Sequence, residues 1–432
     1  MKTAHWNHSR ICLPLTIALA ALLAACASSQ KLATTNPLEI PADIAGLVHA
    51  GQTNTPEEYA LVNRMGASWA VTTFYWSSIE RAENQWDFES YDRYVDTANA
   101  AGVKIIGVLA YDVSWIHDDG ETHKYIPPDK IPFFLEYVRR TTAHFRGRVA
   151  AWCIWNEPNF HFWQGSRDEF FVLARQAADA LRETDPDVTL LGGAFNRGIF
   201  SLPKAYIRGL FESGAMEKAD GVAFHPYELN PARTARLYGA FRDIVAKYGF
   251  GDKIWITEVG YPTGGWYPTA TSEKKFPAYI VKTFINLALS GAQKIFWYQL
   301  FDPSKRVNLD SEDFFGLVRS REDHTSKGAE AFRLCALHIA GTHYRPGLPL
   351  GEKLPRSLRV FYFEQPTGGG TLVLWKEGVT TRVTLQTPAG SVLHDPVSGS
   401  STPLPTEATI TAGSMPVFIT WTGDGVVRVK IR

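Results

Sequence analysis

V-A-A-W-C-I-W-N-E-P-N, Val149 to Asn159, turns from apolar to polar within one short run. Its first half reads as a buried strand: short, apolar, rich in aromatics and bounded. Its last residues do not belong in a core. Asn156 and Glu157 are polar, and Pro158 stops the strand. Either the carboxylate merely solvates a strand end, or it stands where a substrate arrives. The rest of the chain decides between these.

The same texture recurs along the sequence. I-A-G-L-V-H-A-G starts at Ile44, W-A-V-T-T-F-Y-W at Trp69 and V-K-I-I-G-V-L-A-Y-D at Val103. After the run at Val149 come V-T-L-L-G-G-A-F-N from Val188 and G-V-A-F-H-P-Y from Gly221. I-W-I-T-E-V-G-Y-P from Ile254 and K-I-F-W-Y-Q-L-F-D from Lys294 complete the set. Amphipathic helical segments lie between them. Thr55-Pro56-Glu57-Glu58 places a capping residue, an N1 proline and an N3 glutamate in order. Ser166-Arg167-Asp168-Glu169 is a second capping box. Gly66, Gly102, Gly147 and Gly291 sit where helices should end. Eight βα alternations imply a parallel sheet, and closure into a (β/α)8 TIM barrel over residues 38–343 is the economical solution. A doubly wound open sheet would want a Gly-rich phosphate loop after an early strand, and none is found.

After about Tyr344 the helical periodicity stops. L-R-V-F-Y-F-E, T-L-V-L-W-K, T-R-V-T-L-Q, A-T-I-T-A and M-P-V-F-I-T-W follow, parted by Gly, Pro, Ser and Asp turns. This predicts a small C-terminal antiparallel β-sandwich domain over 344–432, without a catalytic cluster of its own.

Lys+Arg and Asp+Glu are equal at 44 each, so no global field draws the chain to nucleic acid or to an acidic membrane surface. Aromatic residues are plentiful, with 13 Trp, 17 Tyr and 25 Phe, enough to fill a large core and leave rings that could stack on sugars. The N-terminus reads as a targeting segment over 1–25. Lys2 and Arg10 precede the apolar run Ile11 to Leu23, which is too short to span a bilayer comfortably. Leu23-Ala24-Ala25-Cys26 resembles a bacterial lipobox, which implies lipid on Cys26, a polar tether over 26–37 and a cell-envelope location, with Ala27 favouring the outer membrane. An ordinary secretory signal is the plain alternative. Cys153 and Cys335 remain as small buried hydrophobes on opposite sides of the barrel wall.

In a parallel barrel, chemistry gathers at the C-terminal ends of the strands. Those ends carry His49, Tyr75 and Trp76, Tyr111 and Asp112, Asn156 and Glu157, Asn196, His225 and Tyr227, Glu258, and Trp297. By alternation Cys153, Trp155 and Glu157 share one face, as do Ile254, Ile256 and Glu258. With the apolar members filling the barrel, the two glutamates would project into its mouth from strands four and seven. Two facing carboxylates, one protonated and one ionised, suit cleavage of a glycosidic bond.

Trp155-Asn156-Glu157-Pro158, Ile256-Thr257-Glu258 and Phe224-His225-Pro226-Tyr227 resemble the signatures of clan A retaining glycoside hydrolases. With the trailing β-domain they look most like family 39 and related endoglycosidases of bacterial exopolysaccharides. The resemblance covers roughly residues 44–340. It implies Glu157 as acid/base, Glu258 as nucleophile and Asn156 on the sugar 2-hydroxyl. It implies His225 and Tyr227 as orienting groups, and Trp297 as the platform under the sugar, followed by a cis Trp297–Tyr298 peptide. Asn196, Tyr111, Trp76 and His49 are further candidates for substrate contact. Neither a metal nor another cofactor is called for. The run H-D-D-G-E-T-H, His117 to His123, has metal-ligand residue types but reads as a polar loop. No H-E-x-x-H, P-loop or G-x-S-x-G appears. Three readings stay open: an endo-acting hydrolase of an envelope polysaccharide, an exo-acting β-xylosidase-like enzyme, and a catalytically silent glycan-binding lipoprotein.

Overall fold

The computed structural model describes residues 36–49, 55–197, 202–265, 270–303, 310–320, 325–347 and 354–431. The targeting segment, Cys26 and nearly all of the tether lie outside the described residues, as does Trp266, a ring in the loop after the run that starts at Ile254. Eight strands close a barrel: β1 Ala45–Val48, β2 Trp69–Tyr75, β3 Lys104–Ala110, β4 Ala151–Ile154, β5 Thr189–Asn196, β6 Gly221–His225, β7 Ile254–Val259 and β8 Lys294–Trp297. Each pairs in parallel with its neighbours, and β8 closes on β1 through Ile295 opposite Ala45 and Trp297 opposite Leu47.

The helices alternate with them: α1 Pro56–Arg64, α2 Glu89–Ala100, α3 Ile131–His144, α4 Arg167–Thr184, α5 Lys204–Glu212, α6 Pro231–Val245, α7 Phe276–Leu289 and α8 Ala329–His338. Their boundaries follow the expected caps. Thr55 Oγ1 accepts from the Glu58 N–H at 3.3 Å. Ser166 Oγ accepts from the Glu169 N–H at 3.2 Å, while Glu169 Oε2 accepts from the Ser166 N–H at 2.7 Å. Gly66 and Gly102 end α1 and α2 in the left-handed region, at φ 72° and 73°.

The barrel interior fixes which residues can reach the mouth. Trp69 on β2 and Trp255 on β7 bring their rings within 5.3 Å, although β8 and β1 lie between those strands in the barrel order. They therefore meet across the interior, near its N-terminal end. Lys294 joins them, 5.0 Å above the Trp255 ring and 3.0 Å from Asp43. Phe296 also points inward: a Cβ on Gly46 would lie 2.3 Å from its ring, so the strand beside it needs a glycine. Alternation then turns Ile254, Ile256 and Trp297 outward, towards the helices.

Beyond Tyr344 two antiparallel sheets form, as expected. One is built on Leu358–Glu364, Gly370–Lys376 and Val417–Trp421, and is extended by His343–Tyr344, Val392–His394, Ser401–Pro403 and the early strand Leu38–Glu39. The other pairs Thr381–Gln386 with Glu407–Ala412 and Arg428–Ile431. The first sheet buries both faces. Leu372, Leu374 and Ile419 pack towards the second sheet, while Phe361, Phe363, Val373, Trp375 and Phe418 join the barrel's core. That double burial is why those runs read as almost continuously apolar. Cys153 and Cys335 are both buried and unpaired.

Candidate active site

Glu157 does not reach the mouth by strand alternation. β4 ends at Ile154, and the chain then kinks: Trp155 and Glu157 both take left-handed backbone, at φ 66° and 44°. The expected common face of Cys153, Trp155 and Glu157 is therefore broken. The Trp155 ring packs against Phe134 of α3 and against Trp163, and its Nε1 donates to the Phe162 carbonyl at 2.8 Å. The Glu157 N–H donates to the Ala194 carbonyl at 3.1 Å, and Ala194 is itself left-handed at φ 40°. Each such non-glycine residue costs about 1 kcal/mol or more, so the surrounding packing must impose the kink.

Glu258 arrives by a second irregularity. Trp255 and Thr257 face the interior, so strict alternation would send Glu258 outward with Ile254 and Ile256. The β7–β8 register shifts between Ile256 and Val259, and Glu258 turns into the mouth as well. The alternation expected for this strand thus assigned the wrong residues to the interior, and the register shift restores the glutamate.

The two carboxylates meet around one histidine. His225 Nδ1 is 2.7 Å from Glu157 Oε1 and 3.6 Å from Glu258 Oε2. Its Nε2 is 2.9 Å from Thr257 Oγ1. Asn196 Nδ2 donates to Glu157 Oε1 at 2.9 Å, and the Tyr227 hydroxyl donates to Glu258 Oε2 at 2.7 Å. One oxygen of each glutamate and one His225 nitrogen all lie within 4.8 Å of one another. Glu157 is 5 % exposed and His225 1 %.

Charge is costly in such a place. Burial pushes the Glu258 carboxyl up, to about 7, and Glu157 pushes it the same way. His225 and the Tyr227 hydroxyl pull it back. Burial also opposes charge on His225, but Glu258 and then Glu157 outweigh it and hold the ring's pKa above its ordinary value.

Most of the expected residues collect here. Asn156 bonds the phenol of Tyr111. His49 Nδ1 is 2.8 Å from Gln299 Oε1, and its ring lies 5.2 Å from that of Tyr298. Two expected residues are elsewhere. Trp297 is fully buried against Tyr261 and Phe276, outside the barrel, because alternation from the inward Phe296 turns it there. Trp76 is likewise buried, stacked on Tyr137 with its Nε1 on Glu80 Oε2. In each case the neighbouring residue faces the mouth. Tyr298 stands 6.2 Å from Tyr227 and 5.3 Å from Phe315. Tyr75 is 45 % exposed. The cis peptide expected at Trp297–Tyr298 is one residue later, at Tyr298–Gln299, and Ala110–Tyr111 is also cis.

One acidic residue at the mouth had no sequence signal. Glu312 lies in the short turn after β8, and its Oε2 accepts from the Tyr298 hydroxyl at 2.9 Å. Burial pushes its carboxyl up, partly offset by that hydrogen bond. Behind it, Asp302 and Lys327 form an ion pair at 2.7 Å with 0 % and 1 % of their side chains exposed. Lys327 Nζ also donates to the Phe314 carbonyl, and the Gly316 N–H donates to Asp302 Oδ1. The pair ties down the segment that carries Glu312.

Glu157, His225 and Glu258 are the donor types that bind cations. Both ring nitrogens of His225 are engaged, and the Asn196 amide already occupies the shared oxygen of Glu157. The Tyr227 hydroxyl likewise occupies Glu258 Oε2. In the His117–His123 loop, Asp112 is buried, bonding His117 Nε2 at 2.8 Å and the Lys124 N–H at 2.9 Å. The His123 N–H also donates to Asp112 Oδ2, while its ring turns to Asp119. That loop is organised by Asp112.

No family model and no curated relative matches this chain. Solved structures do. A family 39 glycoside hydrolase from the gut symbiont Bacteroides cellulosilyticus WH2 is 18 % identical, with 88 % of this chain and 81 % of that one covered and a TM-score of 0.72. A monomeric β-xylosidase from Caulobacter crescentus CB15 is 13 % identical, covering 91 % and 98 %, with a TM-score of 0.63. An endo-β1,6-glucanase is 13 % identical, covering 90 % and 94 %, with a TM-score of 0.58. At these identities the likeness is one of fold, and it extends over both barrel and β-domain.

Proposed function

We propose that this chain is a retaining β-glycoside hydrolase acting on a bacterial envelope polysaccharide. One observation carries the reading: Glu157 and Glu258 stand across a single histidine at the barrel mouth, with donor atoms within 4.8 Å. Retaining pairs are separated by about 5–5.5 Å, whereas inverting pairs need about 6.5–9.5 Å to admit a water. The similar folds include a family 39 glycoside hydrolase, a β-xylosidase and an endo-glucanase, which favours this chemistry without choosing between endo and exo action.

In the first step a Glu258 oxygen attacks the anomeric carbon. The bond to the leaving oxygen breaks, and Glu157 gives that oxygen its proton. In the second step Glu157 takes a proton from water, whose oxygen displaces Glu258. In the resting site burial favours the protonated form of Glu258. A bound sugar reverses that preference. The developing positive carbon faces Glu258, and the leaving oxygen offers Glu157 a hydrogen-bond acceptor. Tyr227 and His225 hold the ionised Glu258 meanwhile.

Lipid attachment at Cys26 would keep the enzyme at the envelope, and the L-A-A-C run supports it. Endo action suits a polymer substrate. The test is release of reducing ends from polysaccharide purified from the native host. Wild type should release them, and Glu258→Gln should not while still binding the polymer. Binding without release by wild type would support the silent glycan-binding reading instead.

A further inference from the structure

Phe74 stacks on Tyr91 of α2 at 4.6 Å and meets Phe145 at the end of α3, so it belongs to the helix layer. Its neighbour Tyr75 therefore points to the opposite side, into the barrel mouth, at the C-terminal end of β2. It is 45 % exposed, while Phe74 and Trp76 on either side of it are fully buried. Its backbone is held in place. The Tyr75 N–H donates to Tyr91 Oη at 2.8 Å, and Tyr91 Oη donates to the Thr73 carbonyl at 3.2 Å.

Tyr75 does not stand alone. Its ring lies 6.2 Å from that of Tyr111, and Tyr111 is parallel to Phe162 within 8°, at 5.9 Å. Tyr111 also touches Trp155 edge-on at 5.2 Å, and its phenol bonds Asn156, the residue before Glu157. Lys124 Nζ closes the row, 4.5 Å from the centre of the Phe162 ring. A fixed aromatic row thus runs from beside Glu157 out to an exposed ring.

We infer that Tyr75, with Tyr111, is the floor of an accessory subsite that stacks a further pyranose ring of the same glycan chain. The inference rests on the hydrolase reading for the identity of the ligand. A pyranose has an apolar C–H face that matches an aromatic ring, and a ring fixed beforehand loses little entropy on binding. The row is continuous with Asn156, so a chain lying on it passes the paired carboxylates. The residue determines how many sugars the site reads, and it takes no part in bond cleavage.

The test uses the Glu258→Gln protein, so that ligands survive, with and without Tyr75→Ala. The probes are the purified host polysaccharide and oligosaccharides of graded length cut from it by mild acid. Affinity should rise with length, and Tyr75→Ala should weaken binding of the longer chains by about ten-fold. The shortest ligand should be unaffected, and Tyr75→Trp should restore the length dependence. Equal affinities with and without Tyr75→Ala at every length would overturn the inference, as would an equal loss on the shortest ligand. Wild-type protein that binds with this length dependence but cleaves nothing would leave the subsite standing and remove the hydrolase reading.

Discussion

Tyr298, not Trp297, faces the site, and the two differ only by one step of strand alternation. Phe296 points into the barrel, so Trp297 packs against α7 and Tyr298 reaches the mouth beside Tyr227. The assignment has a clear consequence. Trp297→Phe should leave kcat/KM within about three-fold and lower thermal stability, because it alters only buried packing. Tyr298→Phe should do the reverse. It loses the hydroxyl on Glu312, and kcat/KM should fall about ten-fold with little change in melting temperature. Steady-state kinetics and thermal melts on both variants check this.

The Glu258 carboxyl makes stability depend on pH. Its pKa in the folded chain is raised to about 7 from an ordinary 4.5. Between those values the folded state holds a proton that the unfolded state has lost. Stability therefore falls as pH rises from about 4.5 to about 7. Glu258→Gln removes that proton site and should flatten the slope over this window. At pH 8 the variant should be the more stable protein, by on the order of 2 kcal/mol. Denaturant titrations across the window measure it.

Asp302 and Lys327 make a different kind of prediction. Both are buried, so Lys327→Met leaves a carboxylate without its charge partner and should cost about 3–5 kcal/mol. The double change Asp302→Leu with Lys327→Met removes both charges and should cost less than the single change. Because the pair tethers the Glu312 segment, KM should rise in every variant that folds. Chemical denaturation and kinetics separate the two effects.

The acid/base assignment predicts a dependence on the leaving group. Glu157→Gln should lower kcat on polysaccharide by about 10²–10⁴-fold. The first step should be far less affected for aryl glycosides whose phenols leave without protonation. A flat loss across aryl leaving groups would contradict Glu157 as the acid.

Much of the fold was readable because the sequence repeats it. Eight strands, capping boxes at Thr55 and Ser166, and helix-ending glycines each state the same architecture. Glu157 and Glu258 were readable as chemistry because carboxylates at strand ends have no place in a core. Their route to the mouth was not. Alternation predicted the interior set of β7 as Ile254 and Ile256, whereas Trp255 and Thr257 occupy it, and a register shift turns Glu258 in. A period of two makes any one-residue slip exchange the faces. The resemblance implied Trp297 as the platform, whereas alternation from the inward Phe296 buries that ring and leaves Tyr298 at the mouth. Glu312 was hidden for another reason. Its place depends on the turn held by the Asp302–Lys327 pair, and no local pattern encodes that contact.

Under the proposed mechanism Glu258 becomes covalently bonded to the sugar while Glu157 manages the proton. Glu157→Gln should slow the second step more than the first when the leaving group is a good one, so the intermediate should accumulate. The direct measurement is mass spectrometry of Glu157→Gln protein, quenched during reaction with a panel of aryl β-glycosides and digested. One glycosyl mass is expected on the peptide that contains Glu258. Turnover of the same glycosides by wild type, with a glycosyl mass on another residue or an inverted first product, would contradict it.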